Sequence, residues 1–144
     1  MNVLFLFGPN LSALGRRDPS VYGSQTLEEI MAEVERSAAA GGHDVTWRAS
    51  EHEGELGQWL LAAKQDGFDA VVINPGALAH YSHALRDAVE ASGLPAVEVH
   101  MSNIYAREEF RRHSVVSPAC RAVISGAGAG GYHLALEALR WIST

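Results

Sequence analysis

Short apolar runs alternate with amphipathic stretches along the whole chain. Asn2 to Phe7 forms a strand-like run that Gly8-Pro9 stops. A loop follows. Thr26-Leu-Glu-Glu29 then has the form of a capping box, and Leu27, Ile30, Met31 and Val34 fall at helical spacing until Gly41-Gly42. Val45 to Ala49 reads as a second strand and Ser50-Glu-His-Glu53 as a second capping box. Leu56, Trp59, Leu60 and Ala63 make one buried face of a helix that ends at Gly67. Ala70 to Ile73 is a continuous apolar strand, and a helix from about Ser82 to Ala91 is closed by Ser92-Gly93. The remaining pattern predicts a fourth strand over Ala96 to Val99, a short polar helix over Ile104 to Arg112 and a fifth strand over Ala122 to Ser125. A last helix runs to about Ile142, with Ala135, Ala138, Leu139 and Ile142 inside.

Five βα units in succession, with strands apolar on both faces, predict a parallel sheet covered by helices on each side, because right-handed crossovers place them there. The expected fold is α/β, a three-layer αβα sandwich of flavodoxin-like type with a five-stranded parallel sheet. In such sheets ligands bind beyond the carboxyl ends of the strands, near the switch in strand order. Polar residues just after strands are therefore the candidates for a site. With 144 residues, 47% apolar and 19% charged, the chain has room for one catalytic domain, residues 1–144. Its longest strongly apolar run, Val3 to Phe7, is too short for a membrane span and has no basic stretch before it, so the expectation is a cytoplasmic protein with no membrane partner. The net charge of −6 argues against nucleic acid as a partner. The single cysteine, Cys120, excludes an internal disulfide and a multi-cysteine metal site. Of the 11 basic residues ten are Arg, so Schiff-base chemistry has one candidate, Lys64, at the solvated end of a helix.

Strand one runs out in Gly8-Pro9-Asn10, strand three in Asn74-Pro75-Gly76, and strand four in Glu98-Val99-His100 with Ser102-Asn103 beyond. Asparagine after a strand is ordinarily a turn residue, but these ends converge on one edge of the sheet. Glu98 and His100, two apart on a strand, point to the same side, so the carboxylate can hold the imidazole in one tautomer as an oriented general acid. Gly15-Arg-Arg-Asp-Pro-Ser-Val-Tyr-Gly23 is a glycine-bracketed loop that can close over a site, or simply a solvated surface loop. In the first case Arg17 would favour ionisation of Tyr22 and make it a base. Arg107 and Arg111, four apart on the predicted polar helix, share a face and suit an anionic, hydroxylated substrate, with Glu108 and Glu109 able to pair with some of this charge.

Three motifs have blander readings. Gly126-Ala-Gly-Ala-Gly-Gly131 fits the dinucleotide pattern GxGxxG between a strand and a helix. Only 13 residues follow it, too few for the next strand and its acidic residue, so close helix packing is the better reading. His80, His83 and Asp87 fall at spacings that could share a helix face, yet no further ligand completes a metal site. His80 and Asp87 are better read as substrate contacts. His43, His52, His113 and His133 have no organised partners in sequence.

Taken together, Gly8-Pro-Asn-Leu11, Leu14-Gly-Arg-Arg17 through Tyr22-Gly23, Asn74-Pro-Gly-Ala77, Arg86-Asp87, Glu98-Val-His100 with Ser102-Asn103, and Ala106-Arg-Glu-Glu-Phe-Arg111 with His113-Ser114 resemble the type II 3-dehydroquinate dehydratases over nearly the whole length. The resemblance implies a flavodoxin-like lyase without metal or organic cofactor, assembled as a homododecamer of four trimers. Its small-molecule substrate would be 3-dehydroquinate, dehydrated to 3-dehydroshikimate in the shikimate route to chorismate and the aromatic amino acids, or in quinate catabolism. It implies Tyr22 as the base that removes a proton alpha to the ketone, Arg17 as the promoter of its ionisation, and an enolate forming near Asn10. His100, oriented by Glu98 and assisted by Asn74, would protonate the departing hydroxyl from the opposite face in an anti elimination. The substrate would be held at Asn74 and Gly76, at the backbone of Met101 and Ser102, and by His80, Asp87 and Arg111, Asp87 acting across a subunit boundary. Ser12-Ala13, Leu78-Ala79, Tyr81, Met101 and Gly130 stand where that family commonly has other residues. The alternative from another class is a flavodoxin-like module that binds a nucleotide at Gly126 to Gly131.

Overall fold

The computed structural model describes residues 1–16 and 18–143. The chain alternates strands and helices as β1 (Asn2–Phe7), α1 (Pro19–Tyr22), α2 (Leu27–Ala40), β2 (Asp44–Ala49), α3 (Glu53–Ala63), β3 (Ala70–Asn74), α4 (His83–Ser92), β4 (Ala96–His100), β5 (Ala122–Ser125) and α5 (Gly130–Ile142), with short 3₁₀ turns between them. All strand pairings are parallel, and the order across the sheet is β2-β1-β3-β4-β5. The order reverses between β1 and β3, which makes the crevice beyond Phe7 and Asn74 the place where this topology opens a site.

The period of two along each strand divides the core into two layers. From β1, Val3, Phe5 and Phe7 face α2 and α5, while Leu4 and Leu6 face α3 and α4; β3 sends Val72 to the first layer and Val71 and Ile73 to the second. Leu27, Ile30, Met31 and Val34 of α2 are buried in the first layer, and Leu56, Leu60 and Ala63 of α3 in the second. The expected architecture holds at its centre and changes at its edges. β1, β3 and β4 are buried on both faces, with Asn74, Glu98 and His100 as the polar residues toward the carboxyl ends of β3 and β4, whereas β2 and β5 alternate or stay half-exposed because each has a neighbour on one side only. On β2 the guanidinium of Arg48 covers part of the open face, 5.7 Å from the ring of Trp59 and 5.9 Å from that of Phe68. Trp59 is accordingly half-buried, as are Ala138 and Ile142 on α5.

Thr26 caps α2 in the reciprocal box its sequence predicts: its hydroxyl accepts from the Glu29 N–H and the Glu29 carboxylate from the Thr26 N–H. The second expected box does not form. His52 is the N-cap of α3 without a side-chain cap, the Ser50 hydroxyl accepts from the His52 N–H, and the Glu53 carboxylate is drawn away by the Ser82 hydroxyl at 2.6 Å. The polar helix expected over Ile104 to Arg112 is two 3₁₀ turns, Ile104–Ala106 and Glu109–Arg112, separated by an extended Arg107 (φ −105°, ψ −165°). Among the described residues no helix is long and apolar enough to cross a membrane.

Candidate active site

At the carboxyl ends of β1 and β3 the two exit loops touch backbone to backbone. A Cβ on Gly8 would lie 2.3 Å from the Pro75 carbonyl oxygen, and one on Gly76, whose φ is +59°, would lie 2.9 Å from that of Pro9. Only glycine permits this approach. It brings Asn10 and Asn74 to one cleft whose walls also include Tyr22, Gly76, His80, His100, Met101, Ser102, Arg107 and Arg111. The expected site residues Asn10, Tyr22, Asn74, Gly76, His80, His100, Met101, Ser102 and Arg111 therefore share a cleft within one chain. Glu98 lies behind His100 rather than on the wall. Asp87 is exposed on α4 and does not line this cleft, and Arg17 lies outside the described residues.

Each wall residue is held from behind. Asn10 takes the left-handed conformation (φ 70°), with its backbone N–H donated to both oxygens of Glu51 at 3.1 and 2.9 Å. Asn74 is buried, accepting at its side-chain oxygen from the Gly76 N–H and donating its amide to the Tyr132 hydroxyl at 2.9 Å. Burial pushes the Tyr132 phenol up, so it is a neutral partner. Glu98, wholly buried on β4, is hydrogen-bonded to His100 Nε2 at 2.5 Å and accepts from the hydroxyls of Ser114 and Ser117, each at 2.8 Å. The Cys120 thiol is pushed up to about 12 by burial and then by the charge of Glu98. His80 gives its Nδ1 hydrogen to the His113 carbonyl at 2.8 Å and meets the Phe110 ring edge-on.

Tyr22 ends the four-residue α1, which Asp18 caps by accepting from the Ser20 N–H. The Ser20 bonds hold the Asp18 carboxyl below its ordinary range. The Tyr22 hydroxyl accepts from Arg107 Nη1 at 3.0 Å, and the same nitrogen is 3.3 Å from Ser102 Oγ. Arg111, by contrast, donates Nε to Glu108, and this bond holds the Glu108 carboxyl below its ordinary range. The two arginines reach the cleft from separate turns, not from one helical face.

The glycine loop is spent on packing. Gly126 N–H donates to the His100 carbonyl at 3.1 Å and Gly128 N–H to that of Met101 at 2.9 Å, and a Cβ on Gly131 would sit 3.0 Å from Val99 Cγ1. Amides already bonded to the β4 exit are not free to cradle a phosphate. Among the described residues no group of three or more His, Cys, Asp or Glu is arranged to hold a metal ion, His80, His83 and Asp87 included.

A family model described as Dehydroquinase class II matches residues 1–140. The chain belongs to this family. It is 57% identical over 134 residues to the 3-dehydroquinate dehydratase of Thermus thermophilus, covering 93% of this chain and 90% of that one. It is 54% identical over 137 residues to the enzyme of the same name from Deinococcus radiodurans, covering 95% and 96%. Among solved structures, the type II dehydroquinase from Butyrivibrio crossotus superposes with a TM-score of 0.95 at 39% identity, covering 97% of both chains. That from Propionibacterium acnes gives 0.91 at 43%, covering 99% and 95%.

Within this class II dehydroquinase, three residues that hold the site, Tyr132, Glu51 and Ser117, are not candidates from the sequence, and a fourth, Arg107, is a candidate with a different role. Arg107 is legible as a charge near the site, but not as the partner of Tyr22, 85 positions away. Tyr132 and Ser117 belong to none of the motifs read from the sequence, and Glu51 falls inside one read for another purpose, the capping box at Ser50 to Glu53. Their only signal is position: Glu51 lies just past the end of β2, Ser117 opens a 3₁₀ turn before β5, and Tyr132 stands in the first turn of α5.

Proposed function

We propose that this chain is a 3-dehydroquinate dehydratase, a lyase that removes water from 3-dehydroquinate to give 3-dehydroshikimate on the shikimate route to the aromatic amino acids. The observation that carries the reading is the pairing, at one cleft, of a tyrosine hydroxyl bonded to an arginine with an imidazole bonded to a buried carboxylate. Tyr22, as phenolate, takes the proton alpha to the ketone; the electrons of that C–H bond form an enolate, and Arg107 together with Arg17 stabilises the phenolate charge. Asn10, on the wall of the same cleft, supplies the enolate oxygen with a polar neighbour in this reading. As the enolate collapses, the C–O bond to the hydroxyl breaks and His100 supplies the proton that makes it water, with Glu98 orienting the ring and Asn74 beside it. Attack and departure from opposite faces give an anti elimination. The substrate carboxylate docks on the backbone N–H groups of Met101 and Ser102, and its hydroxyl and ketone groups on Gly76, His80 and Arg111.

Asp87, exposed and away from the cleft of its own chain, is assigned to the cleft of a neighbouring copy in a dodecamer of four trimers. Tyr105 and Phe110, 63% and 59% exposed beside the cleft, and Val123 on the edge strand support such contacts. The reading takes residues 1–144 as one catalytic domain. A chain with a single cysteine suits the reducing cytoplasm. Formation of the conjugated enone from 3-dehydroquinate, followed by ultraviolet absorbance, tests the activity. The expected result is turnover in the wild type and a loss of roughly 10²–10⁴-fold in Tyr22→Phe, the contribution of one positioned proton transfer. Wild-type turnover in that variant removes Tyr22 as the base. Sedimentation equilibrium tests the assembly, with a monomer as the result that overturns it.

A further inference from the structure

Glu98 is the pivot between the cleft and the turn that follows Arg112. Its carboxylate is fully buried, and its donors come from two directions: His100 from its own strand, and Ser114 and Ser117 from a turn with no periodic sequence signal. That turn is pinned to the β3 exit as well, through Val115 N–H to the Ala79 carbonyl at 2.7 Å and through the His113 carbonyl that receives His80 Nδ1.

The protons in this set can be counted. Ser114 Oγ accepts the backbone N–H of Val116 at 3.2 Å and of Ser117 at 3.1 Å, which uses both of its lone pairs. Its one hydrogen therefore goes to Glu98 Oε1. That oxygen is an acceptor toward Ser114 and toward His100 alike, so the hydrogen between Glu98 and the imidazole sits on Nε2. Ser117 Oγ meets the other oxygen, Oε2. Buried carboxylates without such donors take up a proton or turn toward another partner, and either change would release the Nε2 hydrogen.

We propose that Ser114 and Ser117 are positioning residues for the dehydration: their hydroxyls keep Glu98 an acceptor, which holds the Nε2 hydrogen of His100 on Glu98 and leaves the Nδ1 hydrogen of the imidazolium as the one given to the departing hydroxyl. The proposal rests on the reading of His100 as the acid of the reaction. It also gives the turn two tasks, since the same five residues fix the imidazoles of His80 and His100.

Ser117→Ala is the clean variant, because the Ser117 hydroxyl bonds Glu98 while its backbone N–H remains for Ser114; Ser114→Ala also strips the acceptor from two backbone groups. The expected result for Ser117→Ala is a fall in kcat of about tenfold with KM within about twofold, as for a lost hydrogen bond that acts on the transition state. In nitrogen-15 imidazole spectra of the free protein, wild-type His100 is expected to keep a downfield, slowly exchanging Nε2 hydrogen both as the imidazolium that acts as the acid and as the neutral ring left once Nδ1 has given its proton. In Ser117→Ala this proton is broadened or moves upfield, and Ser117→Thr restores both the spectrum and kcat. A wild-type imidazole spectrum in Ser117→Ala overturns the proposal, whether kcat falls or not, as does failure of Ser117→Thr to restore either readout. If the wild type does not dehydrate 3-dehydroquinate, the functional reading fails, and the imidazole spectra still decide the assignment of the serines.

Discussion

Arg107 shows how much a single side chain can do from an irregular stretch. Its extended backbone interrupts two 3₁₀ turns, and that interruption turns the guanidinium onto the Tyr22 hydroxyl at 3.0 Å with its carbon 5.6 Å from the ring centre. A planar, permanently charged donor on the phenolic oxygen is placed to stabilise negative charge as it develops there in the reaction. Arg107→Gln keeps a donor but loses the charge. It is expected to lower kcat/KM by about 10–100-fold, the range of one charge-assisted hydrogen bond, and to cost more in kcat than in KM. Steady-state kinetics check this, and an effect on KM alone would make Arg107 a simple substrate anchor. Tyr132 acts at the same scale from inside the core. Tyr132→Phe leaves the Asn74 amide without the hydroxyl it now meets at 2.9 Å, so a loss of about 1–3 kcal/mol in urea denaturation is expected, with a smaller loss of turnover as Asn74 loosens.

At the scale of elements, the site exists because two strand exits press together. Gly8 donates its N–H to the Asn74 carbonyl at 2.8 Å, and its missing Cβ is what lets the Pro75 carbonyl approach. Gly8→Ala must displace one loop, since a carbon 2.3 Å from backbone oxygen has no flexible neighbour to yield. The expected cost is about 2 kcal/mol in stability, from overpacking, together with a loss of turnover as Asn10 and Asn74 separate; thermal melts and the absorbance assay on one preparation measure both. This junction was legible in the amino-acid pattern. Periodicity located the strands, Gly-Pro and Pro-Gly marked their ends, and the rule that parallel sheets bind ligands at those ends supplied the rest. The stretch between β4 and β5 was not, because 3₁₀ turns have no apolar repeat and their side chains answer to partners far away in sequence. Ser50-Glu-His-Glu53 failed for a related reason: it has the letters of a capping box, but the Ser50 N–H that a box would give to Glu53 goes to the Phe7 carbonyl, and Glu53 accepts the Ser82 hydroxyl instead. The edge strands read as buried because sequence cannot say which strands lie outermost.

Over the whole molecule, the two layers of core share the same strands, and each has one weakly acidic group that burial holds in its neutral form, Tyr132 inside the first and the half-buried Cys120 against the second. Tyr132 packs with Phe5 and Phe7 in the layer under α2 and α5, and Cys120 packs at the margin of the other layer, near Glu98. Both are raised in the folded state, Cys120 from 9.0 to about 12 and Tyr132 upward from 10.0. Unfolding releases these protons once the pH exceeds the values of the free side chains, so the unfolded state gains from alkali while the folded state does not. The stabilisation is thus fully present below pH 9.0 and is lost as pH rises from there toward the folded value of about 12. Each group steepens the fall by up to about 1.4 kcal/mol per pH unit once its unfolded form titrates, Cys120 first and Tyr132 about one unit later. Urea denaturation of wild type and Cys120→Ala between pH 7 and pH 11 is the measurement. The two stability curves are expected to run parallel to about pH 9 and then to converge or cross, the wild type losing the extra slope that the variant lacks. Curves that stay parallel throughout would mean that the thiol ionises as readily in the folded chain as in the unfolded one.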